Sequence, residues 1–202
     1  MKLINSVGPN PRMVRMFMAE KGIELPTQDI DLRGGENRQP DHLKRNPAGQ
    51  SPALELDDGS YLSEITVICE YLDEQADGTL LGATPETRAV SRMWTRRVDL
   101  NICEPLANGF RFSDGLPIFK DRITTIPEAA EGLKQITRER LEWLDGLIAG
   151  RDYLAGDDVT LADVLLYCFL AFGAQVGQPI PDGLSNVSAW FERMGGRARA
   201  SA

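Results

Sequence analysis

Sulfur and imidazole, the side chains that most often carry chemistry near neutral pH, are scarce in this chain. One histidine, His42, and three cysteines, Cys69, Cys103 and Cys168, are present in 202 residues. A single imidazole excludes a multi-histidine metal site. The cysteines are far apart and form no Cys-x-x-Cys pair, which speaks against structural zinc. An odd, sparse count also speaks against a secreted disulfide scaffold. No metal is therefore expected. Cys69 and Cys168 lie in apolar helical context and read as inert. His42 stands in the charged stretch DHLKR and reads as a solvated surface residue.

The polar residues that remain have to be positioned by the elements around them. Residues 1–75 alternate strands and helices. Met1 to Asn5 is a short apolar start, followed by the turn Ser6-Val7-Gly8-Pro9. Asn10 is a favoured N-cap and Pro11 fits the first helical position, so a helix is expected to open there. Val14, Phe17 and Met18 share a face, and Gly22 ends the helix. PTQDIDL at 26–32 reads as a second strand and 36–45 as a short polar helix. Asp58-Gly59 marks a hairpin between ALEL and SYL. Glu64 to Glu74 then reads as a helix with Ile65, Ile68 and Leu72 on one stripe.

The order β-α-β-α-β-β-α describes a mixed sheet with helices against it. Gly and Pro break the pattern in ADGTLLGATP, so residues 76–85 read as a linker. From 86 to 202 the chain reads as all-helical. A long helix starts near Glu86 and is kinked or ended by Pro105. Others run about 127–149, from Thr160, and from near Asn186, and the terminal RARASA is expected to fray. Thr160 and Asp163 form a capping box. Trp94, Trp143 and Trp190 read as core or interface residues.

Charge bounds the partners. Lys and Arg number 22 against 30 Asp and Glu, a net charge of −8. Nucleic acid is a poor partner for such a chain. The start MKLINSVGPNP lacks the apolar run of a signal peptide, and no 18-residue apolar stretch offers a membrane span. A cytoplasmic protein without membrane partners is expected.

Three segments together resemble the cytosolic glutathione transferases of bacterial type: NPAGQSPALELDDGSYLSEITVICEYL, the Asn10-Pro11 helix start, and TLAD at 160–163. The resemblance covers nearly the whole chain. It implies a thioredoxin-like α/β domain over 1–75 and an all-α domain over 86–202. It further implies a homodimer and glutathione as co-substrate. No cysteine precedes Cys69, so the first helix brings no thiol of its own. The reactive sulfur has to arrive with the ligand.

The resemblance also implies where each part of glutathione goes. Glu64 pairs with the γ-glutamyl ammonium, and the helix start at Ile65 offers backbone N–H groups to the neighbouring carboxylate. The family carries a serine where this chain has Ile65, which leaves Thr66 or Ser63 to supply a hydroxyl. Ser51, before a Pro52 implied to be cis, pairs with the cysteinyl unit like an added strand. Gln50 matches the position that faces the glycyl carboxylate, and Arg38 is a nearby cationic candidate for it. The tyrosine many members place after the first strand is missing. Asn10 is then the expected donor to the sulfur, with Ser6 second. A helix start contributes about 0.3–1 kcal/mol, and one hydrogen bond to a charged sulfur about 1.5–3 kcal/mol. Together they match the ~2.7 kcal/mol needed to bring a thiol from ~8.5 to ~6.5.

The second substrate is expected against the long helix, at Asn101, Asn108, Phe110 and Phe112. The reaction implied is addition of the thiolate to a small electrophile. Disulfide or peroxide reduction by glutathione, or a non-enzymatic binding or regulatory role on this fold, are the alternatives.

Overall fold

The computed structural model describes residues 1–197 and 199. The chain divides into two compact units, one over Met1–Leu80 and one from Leu81 onward.

The first unit is built on a four-stranded sheet. Its elements are β1 (Lys2–Asn5), α1 (Pro9–Lys21), β2 (Thr27–Asp29), a 3-10 turn over Glu36–Arg38, α2 (Pro40–Arg45), β3 (Ala53–Glu55), β4 (Tyr61–Leu62) and α3 (Ile65–Glu74). The sheet order is β2-β1-β3-β4. β1 runs parallel to β2 and antiparallel to β3, with Leu3 opposite Leu54 and Ile4 opposite Ala53. β4 closes the hairpin, Leu54 facing Leu62. Leu3 and Ile4 are both wholly buried. The central strand is thus covered on both faces, and its run of apolar residues replaces alternation. Met13, Val14, Met16 and Phe17 of α1 and Ile68 and Leu72 of α3 supply buried helical side chains.

Local chemistry explains the boundaries. Gly22 takes the left-handed conformation (φ 66) and ends α1. The Gly22 and Ile23 amides bond back to the carbonyls of Ala19 and Met18, at 3.2 and 2.8 Å, a Schellman closure. In the hairpin, Gly59 has φ 84, and the amide and hydroxyl of Ser60 donate to Asp58 Oδ1 at 2.9 and 2.6 Å. The start of α1 differs from the sequence expectation. Gly8 is the N-cap, at φ 112, Pro9 is the first helical residue, and no side chain caps the helix. Asn10 lies inside the first turn. Pro9 already satisfies the preference for proline at that first position, which moves the start back past Asn10.

The named elements of the second unit are all helical, and among its described residues a single antiparallel bridge joins Tyr153 and Gly156. The unit comprises α4 (Pro85–Val98), a π-helical turn over Asp99–Cys103, α5 (Glu104–Arg111), α6 (Leu116–Phe119), a 3-10 turn over Pro127–Ala129, α7 (Ala130–Leu147), α8 (Leu161–Gln175) and α9 (Ser185–Gly195). Pro105 does not end the first helix, since α4, the π turn and α5 follow one another without a gap. It has no amide to donate, and its ring presses on the carbonyl four residues back. The wider π turn makes room for it. The Glu104 amide bonds to the Asp99 carbonyl, and the Asn101 side-chain amide donates to the Arg97 carbonyl at 2.8 Å. α6 is too short to leave a periodic pattern. Of the terminal RARASA, Arg197 and Arg199 are described, and Arg197 donates to the Tyr153 hydroxyl at 3.1 Å. The fraying expected there otherwise lies outside the described residues.

Trp94 and Trp190 are buried, while Trp143 is 38% exposed. Thr160 and Asp163 form the expected capping box on α8. No helix among the described residues is long and apolar enough to cross a membrane.

Candidate functional site

The C-terminal end of β1, the N-terminal end of β3 and the C-terminal end of β4 lie at one end of the sheet. The segments that leave or enter there carry Ser6 and Asn10, Ser51 and Pro52, and Glu64 and Ile65. Antiparallel pairing thus gathers residues nearly sixty positions apart.

The loop entering β3 is held by side chains from the 3-10 turn and α2. Arg38 Nη1 donates to the Ala48 carbonyl at 3.3 Å and Asn37 Nδ2 to the Gly49 carbonyl at 2.6 Å. His42 Nε2 and Asn46 Nδ2 meet the Gln50 carbonyl at 2.8 and 3.1 Å. Three consecutive carbonyls are therefore fixed from beneath. Gly49 is required at this point: it has φ 63, and a Cβ would meet Arg38 Nη1 at 2.6 Å. Arg38 is thus committed to the loop it supports. His42 is not a solvated surface residue; it is 3% exposed. Its place on α2, four residues before Asn46, turns it toward the loop with that asparagine.

Past the clamp, the Ser51–Pro52 peptide is cis. The backbone N–H and C=O of Ser51 have no partner among the described residues, and its buried hydroxyl has none either. Gln50 is exposed, with its side-chain amide unbonded among the described residues.

Glu64 has φ 68, the one positive φ at a non-glycine residue among those described. An L-residue pays strain there, and such strain gathers at functional sites. Its carboxylate is exposed and has no hydrogen-bond or ion-pair partner among the described residues. α3 begins directly after it, with no side-chain cap and no acidic residue in its first turn. The first intrahelical bond is Ile68 to the Glu64 carbonyl, at 2.9 Å. The amides of Ile65, Thr66 and Val67 are left with free hydrogen-bonding capacity, next to the positive end of the helix dipole.

The start of α1 offers much less. Pro9 and Pro11 have no amide hydrogen, and the Arg12 amide already bonds to Gly8 at 3.2 Å. Asn10 alone remains in that turn, with one backbone N–H and one side-chain amide. Ser6 is buried, and its hydroxyl donates to the Val7 carbonyl at 3.3 Å. The end of β1 is locked by Arg15 Nη1, which reaches Asn5 Oδ1 at 2.7 Å while Asn5 Nδ2 donates to Asp29 at 2.6 Å.

In the second unit the expected pocket residues are partly committed elsewhere. Asn101 serves the Arg97 carbonyl. Asn108 Nδ2 donates to Glu104 at 2.7 Å, and its oxygen accepts from Arg111 Nη1 at 2.9 Å. Phe110 packs edge-on against Phe119 and Phe172, with centroids 6.2 and 5.1 Å apart. Phe112 is half-buried. Arg111, which the residue pattern did not single out, has its guanidinium 5.9 Å from the Phe119 ring centre. Burial pulls its pKa below the usual arginine value.

All three cysteines are buried, and burial pushes the Cys103 thiol well above its usual value. No group of metal-ligating side chains converges among the described residues.

A four-stranded sheet with a cis-proline loop, followed by a helical unit, defines the class of thioredoxin-like proteins that carry an all-α C-terminal domain. Residues 7–75 match the glutathione S-transferase N-terminal domain and residues 111–198 the C-terminal domain. The chain is 33% identical over 193 residues to glutathione S-transferase 2 of Saccharomyces cerevisiae, covering 93% of this chain and 82% of that one. A crystal structure of a glutathione S-transferase domain-containing protein from Marinobacter aquaeolei superposes with a TM-score of 0.93 at 33% identity, over 99% of this chain and 100% of that one. Human elongation factor 1-gamma is 32% identical over 160 residues, 78% of this chain but 35% of that longer protein. The chain belongs to the glutathione S-transferase family.

Proposed function

We propose that this protein binds glutathione at the Ser51–Ile65 end of its sheet and adds the thiolate to a small electrophile. The observation that carries the reading is a Ser51 backbone and a strained Glu64 carboxylate, both without partners among the described residues, at one end of the sheet beside the uncapped start of α3. Each matches one part of the tripeptide. The Glu64 carboxylate takes the γ-glutamyl ammonium. The amides of Ile65 and Thr66 take the adjacent carboxylate. The Ser51 N–H and C=O pair with the cysteinyl unit as one further strand. The exposed Gln50 amide meets the glycyl carboxylate, and Arg38 acts by holding the loop.

Glutathione is an anion and the chain carries a net charge of −8. Local amide dipoles therefore have to capture it against the mean field. The sulfur lies by Asn10, whose amide donates to the thiolate. The thiol proton leaves to solvent, the sulfur lone pair attacks the electrophilic carbon, and the leaving group departs with its bonding pair. Ser6 is the weaker candidate, because its hydroxyl already serves Val7. The exposed Val90 and Met93 on α4 suit contact with a second copy. The compartment proposed is the cytoplasm.

Calorimetry tests the reading. Millimolar glutathione should give a saturable heat, and Glu64→Ala should weaken binding about tenfold or more, about 1.4 kcal/mol. Unchanged affinity in that variant would defeat the site assignment. The elongation-factor relative and Ile65 favour a second reading, a binding role without turnover. Glutathione binding without turnover on chlorodinitrobenzene, disulfide or peroxide substrates would select it.

A further inference from the structure

His42 is the sole histidine of the chain, it is 3% exposed, and one of its two nitrogens has a partner. Nε2 lies 2.8 Å from the Gln50 carbonyl oxygen, while Nδ1 is buried with no partner among the described residues. A carbonyl only accepts, so Nε2 carries the hydrogen and the ring is the Nε2–H tautomer. An apolar ring of the same size would fill the space without the desolvation cost of an unsatisfied Nδ1. The Nε2–H bond is what the imidazole adds.

The consequence follows from the geometry of one peptide unit. The Gln50–Ser51 peptide is trans, the cis bond being the next one. In a planar trans unit the carbonyl and the following N–H point in opposite directions. Donors from His42 and Asn46 occupy the Gln50 oxygen at 2.8 and 3.1 Å, filling its two lone pairs. That fixes the plane, and with it the Ser51 N–H on the opposite side. This N–H has no acceptor among the described residues.

We infer that His42 is a positioning residue for ligand capture: through the Gln50 carbonyl it aims the Ser51 N–H at the cysteinyl carbonyl of glutathione. It touches no reacting atom and moves no proton. The inference rests on the glutathione reading above and adds to it a residue outside the ligand's contacts. It predicts that losing the Nε2 donor weakens binding of the tripeptide and leaves the chemical step alone.

The test uses the whole chain with reduced glutathione. His42→Phe keeps ring volume and removes the donor; His42→Gln retains an N–H donor. Glutathione Kd and KM should rise about tenfold in His42→Phe, about 1.4 kcal/mol. They should return to within about threefold of wild type in His42→Gln, with kcat within about twofold in both. Wild-type affinity in His42→Phe overturns the inference. So does equal weakening in both variants together with a fall in Tm, which marks a purely structural role. A long-range nitrogen–proton spectrum of the wild type gives an independent arm, since it holds a single histidine. It should show protonated Nε2 and bare Nδ1, with the ring signals shifting on addition of glutathione. The opposite tautomer overturns the inference whatever the variants do. If the wild type binds no glutathione, the underlying reading fails. If it binds and His42→Phe binds equally well, only the histidine's role fails.

Discussion

Lys21 and Asp73 form a buried ion pair, Nζ to Oδ1 2.9 Å, with side chains 4% and 5% exposed. It joins the last turn of α1 to the last turn of α3. Each partner also grips the segment that follows α3. Lys21 Nζ donates to the carbonyls of Asp77 and Gly78, at 3.0 and 2.6 Å. Asp73 accepts from Thr79 Oγ1 and the Leu80 amide, at 2.6 and 3.0 Å. The ammonium sits at the C-terminal end of α1, where the helix dipole favours it. Residues that read as a linker are therefore tied to the first unit up to Leu80.

Removing one partner leaves the other charged and buried, which costs about 3–5 kcal/mol. Asp73→Leu alone should lower stability by about that amount in urea unfolding. The double variant Lys21→Met, Asp73→Leu should cost clearly less than the sum of the two single changes. Strict additivity would show that the charges do not interact.

Asp163 organises the second unit in a comparable way. Its carboxylate accepts from the Leu154 and Thr160 amides, the Thr160 hydroxyl and Trp190 Nε1, all at 2.8–2.9 Å. Asp163→Ala strands several of these donors in the core, at about 1–3 kcal/mol for each. A total loss of about 3–5 kcal/mol is expected, with altered Trp190 emission, read by denaturant unfolding.

The same carboxyl gives a pH prediction. Burial raises its pKa above 3.8, against the opposing pull of its hydrogen bonds. The folded chain therefore binds this proton more tightly than the unfolded chain. The resulting stabilisation is complete below 3.8 and is lost as pH rises through the folded value. Wild-type stability relative to Asp163→Asn should fall as pH climbs from below 3.8. A rise over that interval would show that the hydrogen bonds outweigh burial.

Turn and cap chemistry is local, and it was legible where it stood alone: Gly22, the Asp58-Gly59 hairpin and Thr160 with Asp163 each act within a few residues. At Asn10 two rules compete over adjacent positions. Its preference for the cap yields to Pro9, which takes the first helical place. The neighbours of His42 in sequence are charged, whereas its neighbour in space is a carbonyl eight residues on. The four-residue spacing of His42 on α2 and Asn46 just past its end is the available signal. Pro105 announced a disturbance but not its form, since a π turn also depends on what packs around it. The conformation of Glu64 arises where a hairpin must turn straight into a helix, which no side-chain pattern encodes.

The starts of α1 and α3 make unequal demands on their donors. With Pro9 and Pro11 in its opening turn, α1 gives a sulfur one backbone N–H and the Asn10 side chain. Asn10→Ala should raise the pKa of bound glutathione thiol by about one to two, the equivalent of one charged hydrogen bond. Titration of thiolate absorbance in the ternary-free complex measures it. Glutathione affinity at low pH, where the sulfur is protonated, should change little. An unmoved titration would remove Asn10 from the thiolate's surroundings.

Glu64 separates stability from binding. At φ 68 and ψ 113 it holds a positive-φ conformation that costs glycine, without a Cβ, less than alanine. Glu64→Ala keeps the strain and loses the carboxylate. Glu64→Gly loses both, and its gain in backbone freedom when unfolded offsets part of the relief. Glu64→Gly should therefore be more stable than Glu64→Ala by about 1 kcal/mol. Both should bind glutathione about tenfold or more weakly than wild type. Paired urea melts and calorimetric titrations check the two halves. If glycine brings no stability over alanine, position 64 is unstrained in solution. If either variant binds as wild type does, the carboxylate has no part in capturing the ammonium.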